Sequence, residues 1–135
     1  MYAVRFHGRG GQGAKTASRI LGTAAFLSGY LAQDSPIYGA ERRGAPVAAF
    51  TRFGQVPIRE RGLIARPDLV MVADASLIED PAARVSDGIG EQTVVFVNSP
   101  LTAEQLQART PLPGRLTTLD LTEIALEHFG QREAI

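Results

Sequence analysis

The stretch FHGRGGQGAKTAS (residues 6–18) decides the fold, because it joins a strand-like segment to a helix-like segment through a glycine-rich turn. The preceding AVRFH (residues 3–7) is rich in strand-forming residues. The apolar spacing in TASRILGTAAFLSG (residues 16–29) predicts an amphipathic helix that ends at Gly29. The residues expected on its buried stripe are Ala17, Ile20, Leu21, Ala24 and Leu27.

Further strand-like and helix-like segments alternate along the rest of the chain. The predicted strands are YLAQD (30–34), PVAAFTRF (46–53), LVMVA (69–73), TVVFVNSP (93–100) and the start of RLTTLDLTEIALEHFG (115–130). Helices are expected in SLIEDPAARV (76–85), in TAEQLQAR (102–109), where Thr102 and Gln105 could form a capping box, and in the segment that Gly130 would cap. This alternation predicts one domain over residues 1–135, an α/β fold with an open, mostly parallel, Rossmann-like sheet and helices on both faces.

Composition excludes several classes of function. The formal net charge is zero, so neither nucleic acid nor an anionic membrane is expected as a partner. The absence of cysteine excludes disulfides, thiolate metal sites and cluster ligation by this chain. The chain begins with strand-like sequence, and no apolar run approaches the roughly 20 residues needed to span a bilayer. A cytoplasmic protein is therefore expected.

The glycine turn at residues 8–13 is expected to bind an anion or to make a tight turn. A helix N-terminus carries unpaired amides and about half a positive charge, so a phosphate or carboxylate could bind there. The spacing Gly-x-Gly-x-x-Gly, with Asp34 about 20 residues on, fits a dinucleotide-binding turn. A phosphate loop does not fit, because Ala14 separates the last glycine from Lys15. A purely structural turn remains possible and leaves the polar Arg9 and Gln12 unexplained.

A second unusual segment is PIYGAERRGAPVAAF (residues 36–50), which precedes a predicted strand. In a parallel sheet, ligands bind beyond the carboxyl ends of the strands, and both this loop and the glycine turn are expected there. The planar guanidinium of Arg42 or Arg43 suits a carboxylate or phosphate, and Glu41 could orient one of them. The alternative is a solvated loop with a surface ion pair worth less than about 1 kcal/mol.

GRGGQG after the first strand and YGAERRGAPV before the third resemble the gamma subunit, or gamma domain, of the 2-oxoacid:acceptor oxidoreductases. These are the pyruvate and branched-chain 2-oxoacid:ferredoxin oxidoreductases (EC 1.2.7 type). The resemblance continues through AFTRF, PIRERGLIARPDLVMVAD and ALEHFG, so it covers nearly the whole chain. Family members usually extend some tens of residues beyond ALEHFG, which implies a remainder on another polypeptide or a shortened variant.

The resemblance implies a subunit of a complex that oxidatively decarboxylates a 2-oxoacid, such as pyruvate, to an acyl-coenzyme A. Thiamine diphosphate, Mg and 4Fe–4S clusters would lie on the alpha, beta and ferredoxin-like delta subunits, coenzyme A would be co-substrate, and ferredoxin or another acceptor would take the electrons. This chain would carry no catalytic or metal-binding residue. The residues that would line the approach to the active site are Gly8, Arg9, Gly10, Gly11, Gln12, Gly13, Glu41, Arg42, Arg43 and Gly44.

Other polar residues have simpler interpretations. His7 could carry a proton but is more simply a hydrogen-bonded structural residue, and Asp74 could meet a ligand or cap the next helix. Arg59, Arg61 and Arg66 could contact an acidic partner or be solvated. No nucleophile–base pair stands out. The competing hypothesis to the gamma subunit is a free-standing Rossmann-type dinucleotide-binding domain.

Overall fold

The computed structural model describes residues 1–36 and 43–130, so Glu41 and Arg42 lie outside the described residues. Within these ranges the chain forms six strands, three α-helices and one short 3-10 turn. In chain order they are β1 (Tyr2–Arg9), α1 (Ala14–Leu27), β2 (Leu31–Pro36), β3 (Pro46–Gly54), β4 (Leu69–Val72), the 3-10 turn (Ala75–Ile78), β5 (Val94–Asn98), α2 (Ala103–Arg109), β6 (Arg115–Leu119) and α3 (Leu121–Phe129).

The strands form one sheet in the order β2-β3-β1-β4-β5-β6. β1, β4, β5 and β6 pair in parallel. β3 is antiparallel to both of its neighbours, β1 and β2, so five of the six described strands point the same way and β3 opposes them. The predicted α/β fold with a mostly parallel sheet is confirmed.

The reversal at β3 follows from a short connection. Residues 37–45 separate β2 from β3, and a parallel pair needs a crossover of about a dozen residues or more. β3 therefore returns beside β1. The pairing covers the whole length of β1, from Tyr2 opposite Phe53 to Arg9 opposite Pro46. This pairing brings the start of β3 next to the glycine turn that follows β1.

α1 packs on one face of the sheet through small residues. Ala14, Ser18, Gly22 and Ala25 are its buried positions, and Val4 and Phe6 of β1 lie in the same core. The Ser18 hydroxyl donates to Asp34 Oδ1 at 2.6 Å and lies 2.9 Å from Thr51 Oγ1, which joins the helix to β2 and β3.

The predicted buried stripe of α1 is wrong for three of its five residues. Ala17 and Leu21 are partly buried against the sheet, but Ile20 is 63% exposed, Leu27 is 79% exposed and Ala24 is also exposed. The physical reason is the small row of Ala14, Ser18 and Gly22, which lets the helix backbone approach the sheet closely and turns the larger side chains outward.

The opposite face of the sheet holds the larger core. Val70 and Val72 of β4, with Val95 and Val97 of β5, are fully buried there against Leu106 of α2. The alternate β4 residues Leu69 and Met71 lie in the α1 core instead, as the period of a strand requires. Helices thus cover both faces.

The predicted helix over 76–85 is wrong, because only the 3-10 turn Ala75–Ile78 forms after β4. Pro81 has no amide hydrogen and disfavours helical geometry at the residue before it. Asp80 accepts a hydrogen bond from the Ala82 amide instead, and Arg84 adopts a left-handed φ of 51°.

The predicted start of α2 and the predicted end of α3 are confirmed. Thr102 and Gln105 form the capping box of α2. Gly130, with a φ of 65°, ends α3. None of the helices in residues 1–36 and 43–130 has the length and apolar character needed to cross a membrane.

Candidate functional site

The glycine turn between β1 and α1 is shaped by left-handed backbone at two glycines. Gly11 has a φ of 94° and Gly13, the residue before α1, has a φ of 78°. Both conformations are strained for residues with a side chain. Between them Gln12 closes the turn with two hydrogen bonds to Arg9. The backbone amide of Gln12 donates to Arg9 O at 2.9 Å, and the side-chain Oε1 of Gln12 accepts from the backbone amide of Arg9 at 2.7 Å.

Gly8 serves close packing rather than an unusual φ. A Cβ at this position would lie 3.3 Å from Ala14 Cβ and 3.7 Å from Ala73 Cβ. The absence of a side chain therefore lets the end of β1 pass close to the first residue of α1. By contrast, a Cβ at Gly11 or Gly44 would meet nothing within 4 Å among the described residues, so the backbone there is open.

The second predicted motif meets the glycine turn directly. The Gly10 amide donates to Ala45 O at 2.8 Å, the Gly44 amide donates to Gly10 O at 3.2 Å, and Gly10 pairs with Arg43 as an isolated bridge. Arg43 is exposed, and Gly44 has a φ of 84°. The structure thus brings Gly8–Gly13 together with Arg43 and Gly44.

The Arg9 side chain links this pair of loops to a third one. Its Nε lies 3.3 Å from Asp74 Oδ2, one terminal nitrogen donates to Gly44 O at 3.1 Å, and the other donates to Ser76 Oγ at 2.7 Å. These contacts all lie within the chain. Arg9 therefore holds the loops together, while its side chain stays 28% exposed.

Asp74 is a carboxylate at the end of β4 with several partners. Burial raises the pKa of its carboxyl, but hydrogen bonds from Ser76 and Gln12 and the charge of Arg9 together outweigh burial and hold the pKa below its usual range. Its Oδ1 also accepts from the Ser76 amide at 3.0 Å, so the predicted cap is confirmed on a 3-10 turn instead of an α-helix.

His7 is an interior residue on the face opposite α1. It is 3% exposed, and burial, with the nearby charge of Arg5, lowers the pKa of His7 to about 4. The ring is therefore neutral near pH 7, and His7 directly precedes the glycine turn in sequence. Of the two interpretations drawn from the sequence, the structural one describes this position.

Two buried arginines were not singled out from the sequence. Arg5 donates to Ile64 O at 3.3 Å and Val85 O at 2.7 Å, and Arg52 donates to Gly62 O and Leu63 O, both at 3.0 Å. The alternation of side chains along a strand could have placed Arg5 and His7 on one face of the sheet. No sequence pattern marks the loop carbonyls that Arg5 and Arg52 bind. Ser76 was missed for the same reason, since its role depends on Asp74 and Arg9 being close.

The position of Asp34 disfavours a dinucleotide-binding turn. Asp34 lies opposite Thr51 on β3, which lies opposite Val4 on β1. β3 therefore separates Asp34 from β1, and Asp34 is level with Val4, about 13 Å along the strand from Gly8. It accepts a hydrogen bond from Ser18 there.

Comparison with known proteins places the chain in a family. The pyruvate ferredoxin/flavodoxin oxidoreductase family model matches residues 3–135. The pyruvate/ketoisovalerate oxidoreductases common subunit gamma of Pyrococcus furiosus is 48% identical over 131 residues, which are 96% of this chain and 70% of that protein. Pyruvate synthase subunit PorC of Methanosarcina barkeri is 42% identical over 130 residues, 96% of this chain and 69% of that protein.

Solved structures agree with this result. The crystal structure of pyruvate oxidoreductase subunit PORC (EC 1.2.7.1) from Thermotoga maritima matches with a TM-score of 0.80 and 37% identity, over 96% of this chain and 67% of that one. The chain belongs to the pyruvate ferredoxin/flavodoxin oxidoreductase family. The family resemblance recognised in GRGGQG and YGAERRGAPV is confirmed. The chain is therefore a subunit of an enzyme complex rather than a free-standing domain.

Proposed function

We propose that this chain is the gamma subunit of a 2-oxoacid:acceptor oxidoreductase that decarboxylates a 2-oxoacid, such as pyruvate, to an acyl-coenzyme A. It packs against the other subunits and lines the approach to their active site, and it catalyses no step alone. Family membership and relatives named as gamma subunits support this role.

The available donor groups support the proposal that the redox cofactors lie on other subunits. The sequence has no cysteine to ligate a 4Fe–4S cluster, and the described residues include no group of three or more metal-binding side chains. A cysteine-ligated iron–sulfur cluster therefore does not fit this chain, and residues 1–36 and 43–130 offer no such group of ligands for Mg. We assign them, with thiamine diphosphate, to alpha, beta and ferredoxin-like delta subunits, and ferredoxin or another acceptor receives the electrons.

The loop pair of the candidate site suits an anionic co-substrate. One observation carries this proposal: Gly10 is hydrogen-bonded to segment 43–45, which puts the open backbone of Gly11 and Gly44 beside the exposed Arg43. Coenzyme A carries phosphates that a guanidinium and backbone amides bind well. We propose that these loops, with Glu41 and Arg42, hold coenzyme A or order the subunit interface next to it.

The test is kinetic and uses the assembled complex. Arg43→Ala and Arg42→Ala should each raise the KM for coenzyme A, by about tenfold if a charge-assisted hydrogen bond is lost, or weaken assembly measured by size-exclusion chromatography. Arg109→Ala, an exposed arginine at the end of α2, is the matched control. Wild-type kinetics and assembly in both variants would refute this role for the loops.

A further inference from the structure

Two loops that are distant in sequence, the glycine turn and the loop after β4, meet at the carboxylate of Asp74. Asp74 Oδ1 accepts from Ser76 Oγ at 2.6 Å and from the Ser76 amide at 3.0 Å. Asp74 Oδ2 accepts from Gln12 Nε2 at 3.2 Å and lies 3.3 Å from Arg9 Nε. Both oxygens of Asp74 are thus used, one within its own loop and one toward the glycine turn.

Arg9 transmits this contact to the second motif. With its Nε against Asp74 and one terminal nitrogen on Ser76 Oγ, the planar guanidinium has little freedom to rotate. Its other terminal nitrogen donates to Gly44 O at 3.1 Å. The position of Gly44 therefore depends on Asp74 through Arg9, in addition to the backbone hydrogen bonds between Gly44 and Gly10.

We propose that Asp74 is a positioning residue of the candidate site, which acts through Arg9 to hold segment 43–45 against Gly10. The inference rests on the proposed function, since it concerns the same loops. It assigns Arg9 a role different from that of Arg43: Arg9 holds the loops in place, whereas Arg43 is the exposed cation they present. Ser76 completes the arrangement by accepting from Arg9 and donating to Asp74.

Amide hydrogen exchange in the full chain tests this positioning directly. Asp74→Asn keeps the shape of the side chain but removes the charge that faces Arg9. We expect exchange at the Gly10 and Gly44 amides, which make the hydrogen bonds between the loops, to quicken by about tenfold. Asp120→Asn is the matched control, because Asp120 caps α3 through the Glu123 amide and has no arginine partner among the described contacts. Unchanged exchange in Asp74→Asn, or an equal change in Asp120→Asn, would overturn the proposal.

A second variant separates the positioning role from simple loss of a charge. Arg9→Lys keeps a cation near Asp74 but removes the nitrogens that reach Gly44 and Ser76. The Gly44 amide should then exchange faster, as in Asp74→Asn, while amides of β5 keep wild-type rates. If Arg9→Lys protects Gly44 as well as wild type does, the guanidinium does not transmit the contact.

The pH dependence of amide protection at Gly44 separates a role of the Asp74 charge from a purely structural role of its side chain. Arg9 is the charged group that the described contacts place against Asp74, with the neutral Gln12 and Ser76 as its other partners. Relative to the intrinsic exchange rate, protection of Gly44 in wild type should fall in acid as Asp74 becomes protonated. In Asp74→Asn it should not change over that range. Parallel curves for the two proteins would contradict the proposal.

Kinetics of the assembled complex distinguish failure of this inference from failure of the proposed function. Asp74→Asn should raise the KM for coenzyme A more than it lowers kcat. Faster exchange with an unchanged KM would support the positioning role of Asp74 and refute coenzyme A binding by these loops. Unchanged exchange overturns the inference whatever the KM.

Discussion

At the scale of single residues, Gly44 illustrates how a side chain would interfere with the candidate site. Its φ of 84° lies in the left-handed region, and its carbonyl accepts from Arg9 while its amide donates to Gly10. Space is not the restriction, since a Cβ there would meet nothing within 4 Å among the described residues. Backbone strain alone therefore favours glycine.

Gly44→Ala should destabilise the chain by about 1–2 kcal/mol, the strain of a left-handed residue with a Cβ. Gly90→Ala is the matched control, because Gly90 also has open space around it and does not have a positive φ. It should leave the free energy of unfolding unchanged or raise it slightly. Urea denaturation of both variants measures the difference, and equal stabilities would contradict the strain.

His7 makes stability depend on pH. Burial, with the charge of Arg5, lowers the pKa of His7 to about 4 in the folded chain, against an ordinary value near 6.5 when unfolded. Between these values the unfolded chain binds more protons. The contribution of neutral His7 is therefore fully present above about pH 6.5 and is lost as pH falls toward 4, by about 3 kcal/mol in total.

The check is to compare the stability of wild type and His7→Gln between pH 7 and pH 4. The difference in free energy of unfolding should shift in favour of the variant as pH falls, because glutamine does not titrate. His128→Gln, in the exposed part of α3, serves as the control. A constant difference between wild type and His7→Gln across this range would show that burial does not keep His7 neutral.

At the scale of elements, α1 packs differently from its apolar pattern. Ser18 is fully buried and donates a hydrogen bond to Asp34, whereas Ile20 is 63% exposed. We therefore expect Ser18→Ile to overpack the space between α1 and the sheet and destabilise by about 1–3 kcal/mol. Ile20→Ser should change stability by less than about 0.5 kcal/mol. Thermal unfolding measures both, and the reverse ranking would mean that α1 buries its apolar stripe.

The strands could be predicted from sequence more reliably than their arrangement. Apolar runs such as LVMV of β4 and VVFV of β5, together with the capping box of α2, carry local signals, and each lies where it was expected. The reversed direction of β3 depends on the connection length, and the exposed Ile20 of α1 depends on close approach to the sheet, so neither is visible in local patterns. Pro81 was a usable signal against the predicted helix over 76–85.

The candidate site was predictable in part for the same reason. The glycine turn and the segment around Arg43 and Gly44 were both expected beyond the sheet, and the structure joins them. Ser76 and the linking role of Arg9 depend on three-dimensional proximity to Asp74 and could not be found from spacing. The roles of Glu41 and Arg42 remain predictions, because both lie outside the described residues.

At the scale of the whole molecule, large apolar side chains are exposed at the ends of two helices. Phe26 and Leu27 of α1 are 66% and 79% exposed, and Phe129 of α3 is 67% exposed. A contiguous apolar patch marks a site of protein association, whereas single exposed apolar residues are common. The proposed role in a complex therefore rests on the relatives that are named as gamma subunits.

Co-purification tests the proposed role in a complex most directly. The tagged chain would be isolated anaerobically from its own host, its partners identified by mass spectrometry, and the preparation assayed for 2-oxoacid-dependent dye reduction. We predict thiamine-binding and cysteine-rich partners together with activity. A chain that emerges alone, shows no such activity and gains melting temperature with NAD would contradict the gamma-subunit role.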